Sequence, residues 1–352
     1  MREILNFDWI LLVVIVVLTS FGLIIGNTIA PNLLLQQGIY IGLGFLIFFI
    51  FFKIDFRFWL KIAPYLFLIS LLFLITPFIF GFVSRGAVRW LKIGPFSLQP
   101  SEIVKPFLII FFAWFFSQGK ELKRIFLGLI LVLIPFFLVF FQPDLGSAVL
   151  FLIFWLGIIW ISGGDFKFFL GGAVFFLASL PLIWRFFLKG YQKERILSFV
   201  DPFSDPTGRG YNLIQAIIAI GSGRFLGRGI KGGTQSQLRF LPEAHTDFIF
   251  ASWAETFGFL GVIFLLFFYF ILFWRILKIM EEIENKTVLN FLGGAFSLIF
   301  FQVLINIGMN LGLLPIVGIT LPLVSYGGSS YLSTMMILGI IQNICYNKHR
   351  YE

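Results

Sequence analysis

The sequence predicts an all-α polytopic membrane protein: about ten transmembrane helices, with a long structured extracytoplasmic loop between the seventh and eighth. Three observations carry that expectation. The 352 residues are 59% hydrophobic and only 12% charged, against about 25% charged in an average soluble domain. The apolar residues come in runs close to the ~20 residues that cross a hydrocarbon core. The lysines and arginines collect between those runs. No stretch reads as a separate soluble domain, so residues 1–352 are expected to form a single integral membrane domain.

The elements follow from the apolar runs and from what interrupts them. After Arg2, the run from Trp9 to Ile25 lacks a small-residue cleavage pattern and reads as a retained first span rather than a signal peptide. Spans are expected at roughly 8–26, 33–52, 62–81, 101–117, 125–142, 146–162, 167–188, 248–274, 287–310 and 320–345. Only Gln142 to Gly146, QPDLG, divides the fifth from the sixth, and that turn could equally be a kink within one helix. An even count puts both termini on one side. That side carries Arg2, Lys53, Arg57, Lys61, Lys120, Lys123, Arg124, Lys167, Arg275, Lys278, Lys286, Lys348 and Arg350, whereas the short connections near Asn27, Asp144 and Leu313 carry no Lys or Arg. Basic short loops stay in the cytoplasm, so both termini are expected there.

Two loops on the opposite side are basic all the same. Residues 82–100 hold Arg85, Arg89 and Lys92, and the loop at about 189–246 holds Lys189, Lys193, Arg195, Arg209, Arg224, Arg228, Lys231 and Arg239. Long loops translocate largely regardless of charge. Their cations serve either solubility and headgroup contact or an outward site for a polyanion. Within the long loop, Tyr191 to Val200 reads as a short amphipathic helix, Asp201-Pro202 and Asp205-Pro206 as turns, and Tyr211 to Ile220 as a mostly apolar helix too short to span. Such a helix lies at the interface or enters partway, which suits a protein that handles a lipid headgroup. The formal net charge of +9, spread between spans, points to membrane lipids or a phosphate ligand rather than nucleic acid. Cys345 is the only cysteine, and His245 and His349 are the only histidines, which excludes a disulfide framework and any Cys- or His-rich metal site. No internal repeat of the inverted-repeat transporter kind is visible.

The chemistry concentrates where the long loop meets the eighth span. Arg239 to Gly261, RFLPEAHTDFIFASWAETFGFLG, puts Glu243, His245 and Asp247 at the mouth of an apolar run; from Phe248 to Trp274 its only charged side chain is Glu255. An acid at a membrane mouth is a functional candidate, although Thr246 or Asp247 could simply cap the helix. Glu255 lies about two turns deeper. It is expected to pair with a base such as Lys105, or else to line the cavity. Glu102 and Lys105 share a face of the fourth span, either as a self-neutralising pair or with Lys105 holding a phosphate that Glu102 orients. Arg85 and Arg89, in SRGAVRWLKIG, offer a forked permanent charge that suits phosphate oxygens, or else anchor the interface beside Trp90. Asp144 stabilises a tight turn or forms a second acid of an outward cavity. In SYGGSS, Ser325, Gly327 and Gly328 either let backbone N–H groups face an anion or let helices pack closely.

One acid among cations defines a reaction class. A carboxylate that takes a proton from a sugar hydroxyl, while cations stabilise a departing pyrophosphate, transfers a glycosyl group from a lipid-linked donor. The helix N-terminus favours the carboxylate, and loss of water makes it a stronger base. Arg195 and Arg209 are further outer-loop candidates for the substrate. No cofactor is specified; a divalent cation, Mg or Mn, could assist, although the sequence shows no clear ligand cage.

RGAVRWLKIGPFSLQPSEIVK, FQPDLGSA, RILSFVDPFSDPTGRGYNLIQ, LPEAHTDFIFASWAE and LPLVSYGGSS, in that order between residues 85 and 330, resemble the signatures of the SEDS family of shape, elongation, division and sporulation proteins. GTQSQLRFLPE and NLGLLPIVGITLPLVSYGGSS look more like its RodA branch than its FtsW branch, whereas Ala244 is FtsW-like. The resemblance implies a peptidoglycan glycosyltransferase of the bacterial cytoplasmic membrane with its active site facing outward. Such a protein polymerises lipid II into β-1,4 glycan with release of undecaprenyl pyrophosphate, for cell elongation and rod shape, in complex with a class B penicillin-binding protein. The family's essential aspartate matches Asp247, and Arg85, Arg89, Glu102 and Lys105 match residues associated with its central cavity. Two departures are visible: Thr256 follows Glu255 where the family often has a second glutamate, and Arg224 replaces the usual glycine after IGSG. The alternatives are a lipid II flippase using the same cavity, a non-catalytic scaffold for a penicillin-binding protein, and an FtsW-type division polymerase.

Overall fold

The structure, a computed structural model, describes residues 7–84, 87–94, 96–119, 122–188, 190–208, 210–238 and 240–351. Arg85 and Arg209 lie outside the described residues. Helices α1 (Trp9–Ile29) and α2 (Leu34–Lys53) are followed by the short α3 (Phe56–Lys61) and by α4 (Ala63–Phe80). The next stretch, read as a loop in an all-α chain, is a three-stranded antiparallel sheet of β1 (Phe82–Ser84), β2 (Ala87–Ile93) and β3 (Phe96–Leu98) in sequential order. Phe82 pairs with Trp90 and Leu91 with Leu98. Valine, tryptophan and isoleucine in AVRWLKI suit a pleated surface.

The chain continues as α5 (Pro100–Ile103), α6 (Lys105–Ser117), α7 (Leu122–Phe141), α8 (Leu145–Ile161) and α9 (Phe166–Leu182), which runs on as a π turn at Ile183–Phe187. The long loop contributes α10 (Gly190–Val200) and α11 (Tyr211–Gly223); α12 (Ile249–Glu281), α13 (Lys286–Asn310) and α14 (Gly328–Tyr346) complete the bundle.

Among the described residues, eight helical stretches are long and apolar enough to cross a membrane. Of the ten expected spans, α8 falls outside that number at 17 residues, and so does α14. The reason for α14 is physical: it is rich in Ser, Thr, Gln and Asn and almost wholly buried, so it meets other helices rather than lipid. QPDLG is a true break between α7 and α8. The eighth span extends to Glu281 and is broken at Gly258, whose φ of 66° and ψ of −163° lie in a region that a side chain disfavours. The tenth helix begins only at Gly328, because residues 311–327 are non-helical.

One core runs through the bundle, with Leu11, Phe48, Phe112, Phe154, Phe291 and Ile340 fully buried. Helix α14 packs along α2, and α13 packs against α8 and α6. The outer faces of other spans expose Leu46, Phe126 and Phe267, as a helix in hydrocarbon can, because its backbone polar groups are satisfied internally. Helix α9 buries none of its residues and meets α8 through Phe168 on Trp155 and Phe169 on Trp160.

The described terminal segments meet at one end of the bundle. There Asp8 pairs with Arg275, Lys348 with Glu282 at 3.0 Å, and Arg350 with Asp55 at 2.9 Å. The junctions that hold the candidate residues gather at the far end.

Candidate functional site

Asp247 is the penultimate residue before α12, and its position is set by the neighbouring helix. Asn306 and Asn310, one turn apart on α13, each donate an amide N–H to the Asp247 carbonyl at 3.0 Å. The Asn310 Oδ1 also accepts the Ala251 N–H at 3.1 Å, satisfying one of the open donors in the first turn of α12. The N-cap residue, Phe248, makes no side-chain capping bond. Asn310 therefore supplies from α13 what a serine or aspartate cap would supply locally.

Beside the half-buried Asp247 side chain runs the irregular strip Val317–Ile319. A Cβ on Gly318 would stand 3.4 Å from Asp247 Oδ2, and the φ of 75° at Gly318 is one that glycine adopts without strain. The strip is held by Asn306, which donates to the Ile319 carbonyl at 2.7 Å. Its other side faces Gly146: a Cβ there would lie 2.9 Å from the Val317 carbonyl oxygen. Asp247 and the start of α8 thus flank the same strip of backbone.

Around the start of α8 lies a buried polar network. Asp144 caps the helix by accepting the Ser147 N–H at 3.3 Å, and also accepts Gln99 Nε2 at 2.6 Å and Ser101 Oγ at 2.9 Å. Arg89, reaching in from β2, places Nη1 3.5 Å from Asp144 Oδ1. Lys105 Nζ donates to Glu102 Oε1 at 2.5 Å, and Ser147 Oγ donates to the same oxygen at 3.3 Å. Lys105 is 1% exposed, so its ammonium relies on that carboxylate. Two cations and two carboxylates leave the cluster formally neutral. Two polar atoms, Arg89 Nε and Glu102 Oε2, are buried with no hydrogen-bond partner. Asp144 caps the turn, as the sequence allowed, and its carboxylate belongs to this buried network.

SYGGSS ties these parts together. Ser325 Oγ donates to the Thr246 carbonyl at 2.7 Å and accepts the Leu321 N–H at 2.8 Å, and the Tyr326 N–H donates to the His245 carbonyl at 2.9 Å. Ser329 Oγ accepts the Gln99 N–H at 2.9 Å. Gly327 is the N-cap of α14 in extended backbone, and Gly328 packs directly on the Tyr40 ring, where any Cβ would collide. The Ser325 hydroxyl is thus engaged with backbone, and close packing accounts for Gly328. The His245 ring lies 5.6 Å from that of Tyr326.

Glu255 departs from its expected pairing. It is fully buried, but its carboxylate accepts the Gln235 N–H at 2.8 Å, the Ser236 N–H at 2.9 Å, the Ser236 hydroxyl at 2.6 Å and the Thr234 hydroxyl at 3.5 Å. Lys105 is taken by Glu102 instead. Successive donors from a folded loop satisfy this carboxylate without a cation. Thr256, in the place of a second acid, donates to the Ser252 carbonyl at 2.8 Å. Arg195 is exposed on α10, which packs on the Pro202–Ser204 turn. Asn306, Asn310, Gln99, Ser101 and Gly318 were absent from the sequence candidates. The two asparagines one turn apart in an apolar helix were the legible signal among them.

A family model described as a cell cycle protein, FtsW/RodA/SpoVE, matches residues 3–350. The chain is 42% identical over 285 residues to the peptidoglycan glycosyltransferase MrdB of Escherichia coli (strain K12), covering 80% of this chain and 77% of that one. Among solved structures, it aligns at a TM-score of 0.83 and 32% identity with a chain of a peptidoglycan synthase complex described as coordinating polymerization and crosslinking, over 98% of this chain and 99% of that one. It aligns at a TM-score of 0.74 and 29% identity with the rod shape determining protein RodA of Thermus thermophilus, over 98% of both chains. A helical bundle shared along its whole length, with a sequence match over nearly all of it, makes this chain a member of the FtsW/RodA/SpoVE family, the SEDS proteins.

Proposed function

We propose that this multi-pass membrane protein is a peptidoglycan glycosyltransferase that polymerises lipid II, with Asp247 as its general base. The single observation that carries the assignment of the base is the double amide clamp on the Asp247 carbonyl. It fixes the backbone of one acid whose carboxylate lies beside Gly318, where an added Cβ would stand 3.4 Å from Oδ2. Oδ2 takes the proton from the 4-hydroxyl of an acceptor GlcNAc as that oxygen bonds to the anomeric carbon of the donor MurNAc. The bond from that carbon to the pyrophosphate oxygen breaks, and undecaprenyl pyrophosphate leaves with the electron pair. Direct displacement turns the α-linked donor into a β-1,4 glycan.

A departing pyrophosphate needs positive charge more than a proton. Lys105 and Arg89 supply it from across the Val317–Ile319 strip, and each holds N–H donors beyond those its carboxylate accepts. Glu102 and Asp144 orient the two cations. A divalent cation would add positive charge at the pyrophosphate; among the described residues no group of three or more His, Cys, Asp or Glu side chains is placed to hold one. The relationship to a synthase complex supports a partner that cross-links the strands, a class B penicillin-binding protein, and the relationship to MrdB supports a role in elongation. In this reading the far end faces outward and the termini end lies in the cytoplasm.

The test is glycan polymerisation from purified lipid II by the wild-type chain and by Asp247→Asn, each reconstituted with the partner and matched for folding and complex formation. Long glycan from the wild type and none from the variant is the expected result. Equal polymer from both would remove Asp247 from the role of base. Lipid translocation without polymer from either would make the chain a flippase.

A further inference from the structure

Away from Asp247, at the termini end, Lys53, Asp55, Asn343, Asn347 and Arg350 line a cavity of about 340 Å³ together with Phe52 and Tyr346. That volume lies at the small end of the ~300–1,000 Å³ typical of ligand pockets. Its walls are built from satisfied groups. Asn343 donates to the Phe52 carbonyl at 2.6 Å and accepts the Phe56 N–H at 3.2 Å, while Asn347 donates to the Asn343 carbonyl at 3.1 Å. The Asp55 carboxylate is also engaged, by the Arg57 N–H at 2.9 Å, Arg350 Nη1 at 2.9 Å and the Tyr351 hydroxyl at 3.3 Å.

Among the described residues, positive charge remains in excess there. Lys53, Arg57 and Arg350 surround this one carboxylate, and Lys53 forms no ion pair among the described residues. The depth of the cavity is set by the helix that carries Lys53. Phe49 and Ile50 are exposed apolar side chains one turn earlier on α2, and at ~1.5 Å per residue Lys53 stands ~4.5 Å beyond Ile50. The cavity therefore lies where hydrocarbon gives way to headgroups, and two aromatic side chains are among its lining, as befits an interface. Basic pockets between helix ends at that level suit lipid phosphates.

We propose that this cavity binds the phosphate of an anionic phospholipid headgroup, with Lys53 and Arg350 as its donors. The bound phosphate bridges the end of α2 to the end of α14. The site is independent of the glycosyl transfer reaction and does not rest on it.

The test uses the full-length protein in phosphatidylcholine nanodiscs titrated with phosphatidylglycerol, with bound lipid counted by native mass spectrometry and thermal midpoints followed in parallel. Lys53 is exposed and forms no ion pair among the described residues, so its variants are expected to keep the fold. Phosphatidylglycerol should bind and raise the midpoint of the wild type. Lys53→Gln should bind about 5-fold more weakly, the worth of one headgroup-level charge; Lys53→Glu should lose the bound lipid, and Lys53→Arg should keep it. Equal binding by wild type and Lys53→Glu, or equal midpoints in phosphatidylcholine alone and with phosphatidylglycerol, would overturn the proposal. So would inorganic phosphate that displaces the lipid and reproduces its stabilisation, because the site would then be one for free phosphate.

Discussion

Asn310→Ala tests whether the clamp from α13 positions Asp247, the proposed base. The Asn310 side chain is fully buried; its amide donates to the Asp247 carbonyl at 3.0 Å and to the Asn306 carbonyl at 2.8 Å, and its oxygen accepts the Ala251 N–H at 3.1 Å. After the substitution the Asp247 carbonyl still has Asn306 at 3.0 Å, so that acceptor is not stranded. The Ala251 N–H loses its partner in the first turn of α12. A buried donor left unsatisfied costs about 1–3 kcal/mol, and hydrogen bonds between membrane helices run lower, at about 0.6–1.7 kcal/mol. The expected loss of stability is therefore about 1–2 kcal/mol, small enough for the bundle to survive. The reaction should suffer more, since a misplacement of about 1 Å in a reacting geometry can cost about 100-fold. Turnover measured against lipid II concentration should show kcat down by about 10–100-fold with KM little changed. Thermal midpoints and size-exclusion profiles report the fold alongside. An unchanged kcat in a protein whose midpoint has fallen would show that the clamp serves stability alone. A rise in KM alone would move Asn310 from positioning the base to binding substrate.

Three further outcomes follow from the geometry. Lys105→Met strands Glu102 in a buried site, and breaking such a pair costs about 3–5 kcal/mol; Glu102→Gln with Lys105→Met should recover much of the midpoint but none of the polymerisation, and a double variant no more stable than the single ones would mean that the pair is uncoupled. Glu255→Gln turns an amide N–H₂ towards backbone donors, so hydrogen exchange at Gln235 and Ser236 should speed by about 5–150-fold, matching a loss of about 1–3 kcal/mol; unchanged protection there would show that the carboxylate does not hold the loop. Burial pushes the Asp55 carboxyl up, but the Arg57 N–H and guanidinium beside it outweigh burial and hold it below the usual carboxylate range. Its contribution to the termini end is therefore present above the unfolded value of about 3.9 and lost as pH falls through the lower folded value. Exchange protection around Asn347 and Tyr351 measured from pH 6 to pH 3 should fall in that acid window, and less so in Asp55→Asn.

The spans were legible because each is a long apolar run, and the junction at Asp247 was legible because charge returns there abruptly. What stayed hidden depended on partners distant in sequence. In the sheet at Phe82–Leu98 two strands have only three residues, and the seven residues of AVRWLKI between them do not alternate apolar with polar side chains. Glu255 invites a cation because a buried acid in a membrane usually needs one. Nothing in the order of residues says that the N–H groups of Gln235 and Ser236, some twenty positions earlier, will converge on it. The pairing of Lys105 with Glu255 failed for a related reason: Glu102, the partner also expected from the sequence, is local at i,i+3 and already in reach before any tertiary contact forms.

Asp247 and Glu255 sit at opposite ends of one short helical block. Gly258 interrupts α12 just beyond it, and the outer segment fills the interruption. The Arg228 N–H donates to the Glu255 carbonyl at 2.9 Å and the Gly229 N–H to the Thr256 carbonyl at 2.9 Å, while the Phe259 and Leu260 N–H groups donate to the Arg224 and Phe225 carbonyls at 2.9 and 3.2 Å. With the Glu255 carboxylate on residues 234–236, the Arg228 and Gly229 bonds tie Ile249–Phe257 to the outer segment, and the Phe259 and Leu260 bonds tie the start of the second half of α12 to the same segment. Arg224, with its φ of 49°, occupies the turn that makes this exchange. A displacement of the outer segment is therefore carried through the block to the residue before Phe248. The Asn306–Asn310 clamp resists that displacement from α13. The position of the carboxylate is set by the balance between the two attachments, which is why loosening either, by Glu255→Gln or by Asn310→Ala, acts on the same acid from opposite sides.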